Sequence, residues 1–416
     1  MAITPSVGNK NFSGIEGKFS FQLSIGNKEW EISPPSLLRF LVDEEAGNVA
    51  PAVQLDFTTK DASILKYLNE GNVVKVTAGG LQRLSHESTN GREVSNEYQK
   101  MEISITIVRL QVKYELFPYI QIYCSGIAGN YDYLFTPRMR VINQKNSLDA
   151  IKDIVNNNGK FSRLDSTVKL SPIDTQNWIQ YNITDMEFLS EVWLHSYIPD
   201  KVMLVGINSM GSFVIRDSAC ILQDLKNKNY KYTFTNNFSN SDSNNKKLIQ
   251  YGGVLFSQSN SIMNLGYTYG RERVVYNLEQ GTEAIELPEI NNAWLSLSAK
   301  LNRKDTIAKM AAHNRMINTN VHSKYNYAYD YNVGRLSALS STNLIISFSG
   351  KFINDLQILD PINVTVNKMD SSQLNSQYES GGYIVAKITR SIMNGSLNTT
   401  VVGCRESVNE MSGSFR

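Results

Sequence analysis

The sequence predicts an α+β fold that is mainly β, with a small antiparallel β-domain at each end and an α+β unit between them. Two observations at the chain ends support the β-domains: several short stretches alternate apolar and polar residues, and polar turns separate these stretches. Such alternation is the period of a half-buried strand. A third observation places helices in the middle, where Thr184-Asp-Met-Glu187 fits a capping box ahead of an apolar stripe.

Residues 1–112 predict a β-barrel or sandwich that carries one short helix. Alternation predicts strands at Phe19–Ile25, Val53–Phe57, Val73–Thr77 and Ile103–Val108. A helix is predicted over Asp61–Gly71, because Asp61 is placed to cap its start and Gly71 to end it. The polar stretch Ser85–Tyr98 contains Asn90-Gly91 and predicts a long exposed hairpin loop.

Residues 113–220 predict an α+β domain. It begins with a strand at Tyr119–Tyr123 and a helix over Ser147–Asn156. A second helix begins at Thr184 and ends by Pro199; its apolar stripe consists of Phe188, Leu189, Val192 and Trp193. The pattern then predicts a hairpin made of Val202–Ile207, a turn at Asn208–Gly211, and Ser212–Asp217.

Residues 221–312 predict a variable inserted lobe. Asn227–Lys247 is dominated by Asn, Lys and Ser, and it has too few apolar residues to form a core, which predicts a surface loop. Strands are predicted at Gly253–Phe256 and Arg273–Tyr276, and a helical stretch over Thr306–Met316.

Residues 313–416 predict a second β-domain with one helix, over Tyr325–Leu339. Its strands are Leu344–Gly350, Ile362–Val366, Gly382–Ile388 and Leu397–Val402. Glu70–Val76 and Asp360–Val366 share one pattern, a polar turn that enters an alternating strand. Because such turns are common, this similarity is compatible both with a duplicated barrel and with two unrelated β-domains.

Composition excludes several classes of protein. The net charge of +2 argues against a strongly basic nucleic-acid binder, and no apolar run reaches the length of a membrane span. The N-terminus has no basic region followed by an apolar stretch, so no secretory signal is predicted. Cys124, Cys220 and Cys404 are interpreted as buried or half-buried thiols in a reducing cytosol, and the four histidines have no metal-ligand spacing.

Catalytic spacing is missing, so no catalytic, cofactor-binding or metal-ligating residue is predicted. Gly206–Gly211 has one residue too many before its Ser for a nucleophile elbow and is interpreted as a turn. Glu187 and Glu191 share a helix face, but Glu187 is explained as a cap and both carboxylates are expected to be solvated. Asp165, Asp174 and Asp185 flank predicted loops, with no spacing that identifies a hydrolytic pair.

The aromatic cluster Tyr325-Asn-Tyr-Ala-Tyr-Asp-Tyr331 has two interpretations. It is either a platform for stacking sugars or bases, or part of a helix that packs against a barrel. The second interpretation is favoured because Tyr325 and Tyr329 fall on one helical face.

Two groups of motifs resemble phage baseplate hub proteins of contractile tails. The first is Asp174–Leu189 followed by Gly211-Ser-Phe-Val-Ile-Arg-Asp217, an arrangement that is similar to the hub part of type VI secretion spike proteins. The second is Gly381-Gly-Tyr-Ile-Val-Ala-Lys-Ile followed by Leu397–Asn409, which looks like the closing barrel of those hubs. Met316–Tyr325 is also similar to the hub pattern, whereas Asn227–Lys247 matches nothing in it.

The resemblance implies a fold of two tail-tube-like antiparallel β-barrels, with an intervening α+β domain and the variable lobe. It implies a homotrimeric ring that adapts a six-fold tail tube to a three-fold spike and passes DNA without binding it specifically. The implied partners are further copies of the chain, the central spike protein, the tail tube protein or its initiator, and the surrounding baseplate wedge proteins. The implied location is the tail baseplate of a virion that assembles in the bacterial cytoplasm.

A structural rather than enzymatic role is therefore the expectation, without a cofactor. The two alternatives are a tail-associated cell-wall hydrolase, which needs a hidden carboxylate pair, and a sugar-binding adhesin, which needs the tyrosine cluster.

Overall fold

The structure is a computed structural model of the 416-residue chain. It describes residues 20–48, 51–88, 91–114, 118–128, 131–157, 163–168, 171–199, 201–209, 211–236, 248–258, 273–277, 282–286, 313–317, 321–322, 324–325, 328–329, 332–333, 336, 342–349, 353, 355–366, 379–393 and 396–405.

Seven strands form the first part of the fold, which we call the N-terminal curl. They are β1 (Ser20–Ile25), β2 (Lys28–Glu31), β3 (Leu37–Glu45), β4 (Ala52–Thr59), β5 (Val73–Ser88), β6 (Gly91–Tyr114) and β7 (Ile120–Ala128). Their order across the sheet is β2-β1-β5-β6-β7-β4-β3, and each neighbouring pair is antiparallel. Alternate residues point inward to one apolar core in β1, β3, β4 and β7, in β5 over Val74–Ala78 and in β6 over Met101–Ile107, which confirms the predicted strands of this region.

Two details of the N-terminal curl differ from the sequence prediction. The predicted helix is a 3-10 turn over Ala62–Lys66, although Asp61 caps it by accepting from the Ser63 amide at 2.9 Å. The stretch Ser85–Tyr98 is not an unpaired loop, because β5 and β6 remain in register up to the Ser88–Gly91 pair. The polar sequence is compatible with a two-stranded ribbon, since pairing between two strands satisfies backbone groups whatever the side chains are.

An α+β unit follows, and its core is separate from that of the N-terminal curl. Its elements are α1 (Tyr131–Phe135), β8 (Arg138–Lys145), α2 (Ser147–Asn157), β9 (Arg163–Thr167), β10 (Gln176–Ile183), α3 (Asp185–Leu194), β11 (Met203–Ile207), β12 (Ser212–Asp217) and α4 (Ser218–Lys226). Strands β8 and β10 form an antiparallel pair. Strand β12 pairs antiparallel with β11 and parallel with β9.

The predicted helices and hairpin of this unit are confirmed. The Thr184 hydroxyl accepts from the Glu187 amide at 3.2 Å, and the Glu187 carboxylate accepts from the Thr184 amide at 2.8 Å, which is the expected capping box. Helix α3 ends at Leu194, earlier than Pro199 would require. Helix α4 was not predicted, because no turn-forming Gly or Pro separates it from β12 in the sequence.

The last part of the chain forms two sheets. The described strands are β13 (Tyr232–Thr235), β14 (Leu248–Gln250), β15 (Gly253–Gln258), β16 (Arg273–Asn277), β17 (Thr282–Glu286), β18 (His313–Ile317), β19 (Thr342–Ser349), β20 (Pro361–Thr365), β21 (Gly381–Met393) and β22 (Ser396–Arg405). Strands β16, β17 and β18 form a small sheet of their own. The other seven, which we call the C-terminal curl, run in the order β15-β19-β22-β21-β20-β13-β14.

One short connection brings the two ends of the C-terminal curl together. Tyr251 and Gly252 lie between β14 and β15; the Tyr251 amide donates to Thr235 O of β13, and the Gly252 amide donates to Ser347 O of β19, both at 3.0 Å. The sheet therefore wraps around its apolar core.

The stretch 221–312 differs from the prediction in two places. Strands β13, β14 and β15 fall within the predicted lobe, yet they pair with each other or with β19 and β20 of the C-terminal curl. Part of Asn227–Lys247 is thus a strand, because Tyr232 and Phe234 supply apolar side chains among the polar residues. At the end of the predicted helix Thr306–Met316, His313–Ile317 is strand β18, and residues 306–312 lie outside the described part. The four domain boundaries as such stay a prediction.

The prediction of a mainly β α+β fold is confirmed, with one exception to the antiparallel character of the two curls. Strand β13 is parallel to both β14 and β20. The cysteines at positions 124, 220 and 404 are free and buried, as predicted. Among the described residues, no helix is long and apolar enough to span a membrane.

The α+β unit touches both curls at Gly206 of β11. A Cβ added there would lie 2.2 Å from Ile358 Cδ1, which belongs to the C-terminal core, and 3.6 Å from Glu45 O at the end of β3. The neighbouring Val205 carbonyl accepts from the Gly47 amide at 2.7 Å. The absent side chain is therefore what allows three parts of the fold to meet.

We expect Gly206→Ala to destabilise the protein by about 1–3 kcal/mol, because the added methyl overpacks a closed site. Ile358→Val removes the Cδ1 atom that the methyl would strike. The double variant should therefore lose less stability than the two single variants together, as measured by thermal unfolding. Strict additivity of the two losses would show that Gly206 does not serve this contact.

Candidate functional site

The N-terminal and C-terminal curls repeat one topology. In chain order, β1, β2, β3, β4, β5, β6 and β7 correspond to β13, β14, β15, β19, β20, β21 and β22, because each strand has the corresponding neighbours in its sheet. Only β13 runs in the opposite direction to its counterpart β1, as its parallel pairing with β20 shows. Seven strands in the same order, in both sequence and space, indicate a duplicated unit.

A local motif repeats at the entry to the fifth strand of each curl. Gly71 and Leu359 both have positive φ, 84° and 70°, and their amides donate to Ile107 O and Val385 O respectively. The following residue, Asn72 or Asp360, accepts in turn from the amide of Ile107 or Val385. The pattern that the two sequence segments share is therefore a structural repeat, in which Asn72 corresponds to Asp360.

A β-bulge also repeats in the sixth strand. The pairing of β6 with β7 shifts register between Ile107 and Arg109, and that of β21 with β22 shifts between Val385 and Lys387. A bulge bends and twists its strand. The curvature of both curls is thus set at equivalent positions.

The two curls are joined edge to edge by hydrogen bonds between β3 and β21. Their antiparallel register runs from Lys387 opposite Glu45 to Met393 opposite Arg39. Strand β20 is short and pairs only with the first part of β21, Gly381–Ile384, which leaves the rest of that edge to β3. Ile392 of β21 is buried in the N-terminal core. We call this β3–β21 contact the junction.

A buried ion pair lies at the centre of the junction. Glu44 extends the inward row of Phe40 and Val42 on β3, and Arg390 lies between Ile388 and Ile392 on the inward row of β21. The Arg390 guanidinium contacts the Glu44 carboxylate and also donates to Ile353 O at 3.0 Å and Leu356 O at 2.8 Å. Burial lowers the pKa of Arg390 to about 10, yet the group remains charged at neutral pH.

A second polar cluster lies on the outer face of the same junction. Asp43 accepts from the Thr389 hydroxyl at 2.6 Å, and its other oxygen lies 2.6 Å from Lys387 Nζ. Both partners belong to β21, so the pair of strands is held by polar contacts on both faces. These contacts fix one register, because a shift by one residue would bury Asp43 instead of Val42.

The described part of the tyrosine cluster packs against the end of α3. Tyr325 stacks on His195 with ring centroids 3.8 Å apart and an interplanar angle of 12°, and its hydroxyl donates to Glu191 at 3.2 Å. Asn332 donates to Leu194 O at 3.0 Å and Ser196 O at 2.7 Å. Packing was predicted correctly, but the partner is the α+β unit rather than a barrel. Tyr327 and Tyr331 lie outside the described residues.

The carboxylates considered as a hydrolytic pair each hold part of the structure. Asp165 pairs with Arg216 at 2.8 Å, and Asp174 accepts from the Ser147 and Tyr197 amides at 2.8 and 2.7 Å. Buried Asp185 pairs with Arg138 at 3.3 Å and with Arg140 at 2.5 Å. Glu191 is not fully solvated as expected, and its burial raises the pKa of the carboxyl. No group of three or more potential metal ligands occurs in the part of the chain that the structure describes.

An exposed apolar surface lies on the outer face of the β8–β10 pair. Tyr181 is opposite Met139, and Ile179 is opposite Val141, in the antiparallel register. All four side chains are exposed, whereas Ile142 and Trp178 of the same strands are buried. Such a contiguous apolar ladder is typical of a surface that contacts another molecule.

No site residue was predicted from the sequence, and neither was the junction. The signal for it was present: Glu44 and Arg390 are charged residues on the inward rows of strands that otherwise alternate correctly. A buried charge requires a partner, but the sequence does not say which of many charges that partner is.

The fold is shared with solved phage tail proteins. No protein-family model and no curated protein sequence matches the chain. The tail protein from Neisseria meningitidis MC58 is similar over 93% of this chain and 97% of that chain, with a TM-score of 0.54 and 10% identity. The 43 kDa tail protein of prophage MuSo2 from Shewanella oneidensis is similar over 93% and 98%, with a TM-score of 0.50 and 13% identity.

A chain of the Francisella PdpA–VgrG complex is also similar, over 99% of this chain and 61% of that chain, with a TM-score of 0.52 and 7% identity. This chain thus spans about three fifths of the length of that one. At such identities the likeness concerns the fold alone. It confirms the fold of phage tail proteins that the sequence motifs implied.

We expect Arg390→Met to destabilise the protein by about 3–5 kcal/mol, since it leaves Glu44 as an uncompensated buried charge. The double variant Arg390→Met/Glu44→Met should recover most of that loss, because an apolar pair of similar volume is often neutral. Thermal unfolding of the two single variants and the double variant measures the coupling. Independent, additive losses would contradict a specific pair.

Burial raises the pKa of Asp360 from 3.8 to about 6. A raised carboxyl pKa stabilises the folded state below the unfolded value and loses that contribution as the pH rises through about 6. Asp360→Asn, which restores the residue type of Asn72, should match wild type near pH 4 and exceed its stability above pH 6 by up to about 3 kcal/mol. Melting temperatures across this pH range test the sign, with Glu31→Gln at an exposed position as control; a constant difference between Asp360→Asn and wild type would contradict it.

Proposed function

We propose that this chain is the structural hub of a phage tail baseplate or of a related injection machine. In this proposal three copies form a ring in which the two curls of each chain occupy six similar positions. The observation that carries the proposal is the internal repeat: two curls of one topology lie side by side, joined at their edges within one chain.

The repeat supports a change of symmetry. A ring of three chains presents six similar curls on one side, which suits a six-fold tail tube. The α+β unit has no second copy among the described residues, so the side of the ring that carries it has three-fold symmetry. That side suits a three-fold spike. Closed rings of this kind are the usual outcome of head-to-tail contacts whose rotation closes.

The junction supports the proposal because it fixes the angle between the two curls. The seven paired backbone positions alone would allow some slippage, whereas Arg390–Glu44 and the Asp43 cluster specify a single register. A ring that carries mechanical load during infection needs such a fixed angle. Gly206 adds a third contact, between the α+β unit and both curls.

The proposed partners follow from the two faces of the ring. A tail tube protein or its initiator covers the six-fold side, the central spike protein covers the three-fold side, and the wedge proteins of the baseplate surround the outside. The opening passes DNA without specific binding, and a net charge of +2 suits this because clustered cations would hold the phosphates. The proposed location is the virion tail, after assembly in the bacterial cytoplasm.

The proposed role is structural rather than enzymatic. The carboxylates that a hydrolase would use are engaged with arginines, backbone amides and a helix cap. The tyrosine face that an adhesin would use is stacked on His195. A hydrolase and an adhesin thus stay the alternatives with the weaker support.

We expect the purified chain to assemble into a species three times its 46.8 kDa mass, either alone or once tail tube and spike proteins are added. Mass photometry measures the copy number, and electron cryo-microscopy of the complex should show a ring with six similar lobes and three outer units. Persistent monomers that never join the tail would contradict the hub. Hydrolysis of peptidoglycan in a zymogram would favour the hydrolase, and glycan binding by the monomer would favour the adhesin.

A further inference from the structure

The repeat leaves each chain with two edges that match the junction but have no described partner strand. In the N-terminal curl, the counterpart of the β21 edge is the end of β6, Arg109–Tyr114, which pairs with β7 on one side. Strand β5 reaches only as far as Thr106 on the other side. In the C-terminal curl, the counterpart of β3 is β15, and among the described strands it pairs only with β19. The protein thus carries one complete junction and two halves of another.

The correspondence extends to single residues. The bulges align Lys387 with Arg109, and therefore Thr389 with Gln111, Arg390 with Val112 and Ile392 with Tyr114. The pairing with the neighbouring strand aligns β3 with β15. Leu41 of β3 pairs with Gln54 of β4, and Leu255 of β15 pairs with Ile345 of β19, so Leu41 corresponds to Leu255. It follows that Phe40, Val42 and Asp43 correspond to Val254, Phe256 and Ser257.

We propose that β15 of one copy pairs antiparallel with Arg109–Tyr114 of a second copy and so repeats the junction between chains. The register of the junction then places Ser257 opposite Gln111, Phe256 opposite Val112, and Val254 opposite Tyr114. Another copy of this chain therefore covers each of the two open edges. This inference rests on the proposed function for the number of copies, but not for the pairing itself.

The side chains of the two halves are suited to such pairing. Tyr114 is 74% exposed, Leu255 is 60% exposed and Val254 is 37% exposed, although all three lie in strands. On the inner row the proposed contact brings Val112 and Tyr114 to Phe256 and Val254. Val112 stands where the junction has Arg390, and the uncharged Gln258 stands where it has Glu44. Apolar burial needs no matched charge, which suits a contact between chains that first fold separately.

The proposed contact is head-to-tail, because its two sides are different surfaces. Each chain offers β15 on one side and the end of β6 on the other, so the contact repeats until the ring closes. Edge strands that are left open promote aggregation, and ring closure covers both of them. Every curl would then contact one curl of its own chain and one curl of another chain through the same type of strand pairing.

Disulfide trapping tests the register. In Gln111→Cys/Ser257→Cys the two cysteines lie directly opposite each other on the outer face, where Cβ atoms are about 5 Å apart. We expect oxidation to link chains into a closed covalent ring, with at least tenfold more product than either single variant gives. Asp43→Cys/Thr389→Cys is the matched positive control, since the corresponding bridge forms inside one chain. The three native cysteines are buried.

The off-register variant Gln111→Cys/Gly253→Cys is the negative control, because its cysteines would be displaced by four residues, about 13 Å. We expect it to cross-link no more than the single variants. If it cross-links as well as Gln111→Cys/Ser257→Cys, or if neither does while the positive control does, the proposed register is wrong.

A mixing experiment tests the head-to-tail character without cysteines. Tyr114→Asp damages only the β6 side and Val254→Asp damages only the β15 side, so each variant alone should be monomeric in mass photometry. An equimolar mixture should give dimers, because one undamaged contact remains between the two kinds of chain. Dimers of Tyr114→Asp alone would overturn the proposal, since they would show that β15 pairs with itself.

The outcomes separate this inference from the hub proposal. If trimers form but the Gln111–Ser257 cross-link does not, the proposed pairing is contradicted and the hub proposal is not. A covalently closed ring of another copy number would support the pairing and contradict the three-fold hub.

Discussion

Every strand has two edges of backbone hydrogen-bonding groups, and the structure depends on how these edges are covered. Within each curl the strands cover one another around an apolar core. At the junction, β3 covers the part of β21 that the short β20 leaves open. This single contact makes one sheet out of two repeated units, and the position of the α+β unit follows from it through Gly206.

The ion pair at the junction contributes specificity more clearly than it contributes stability. Removing two charges from water costs energy that their attraction only partly returns, so an apolar pair could hold the curls as firmly. A charged pair on inward rows, however, excludes every register that leaves Glu44 or Arg390 facing apolar side chains. The covalent linkage brings the curls close to each other, and the buried charges select one of the possible alignments.

The sequence predicted the local structure well, where local rules apply. Alternation located the core strands of both curls, and the capping box located the start of α3 to the residue. What depends on distant partners was missed or misplaced. Tyr232–Thr235 is a strand because β20 lies beside it, and Ser85–Ser88 is paired because β6 continues opposite. The junction could not be predicted because it also depends on distant partners: Glu44 and Arg390 are 346 residues apart in the sequence.

The differences between the two repeats are as informative as their likeness. The first repeat has Asn72 where the second has buried Asp360, and the second has Arg390 where the first has Val112. Six identical units in a ring would have to use one contact everywhere. A duplicated chain can instead make its internal contact permanent, with buried charges, and use an inner row without charges for the contact proposed between chains. Divergence between the repeats would therefore give the proposed ring two kinds of contact, as its proposed place between six-fold and three-fold partners requires.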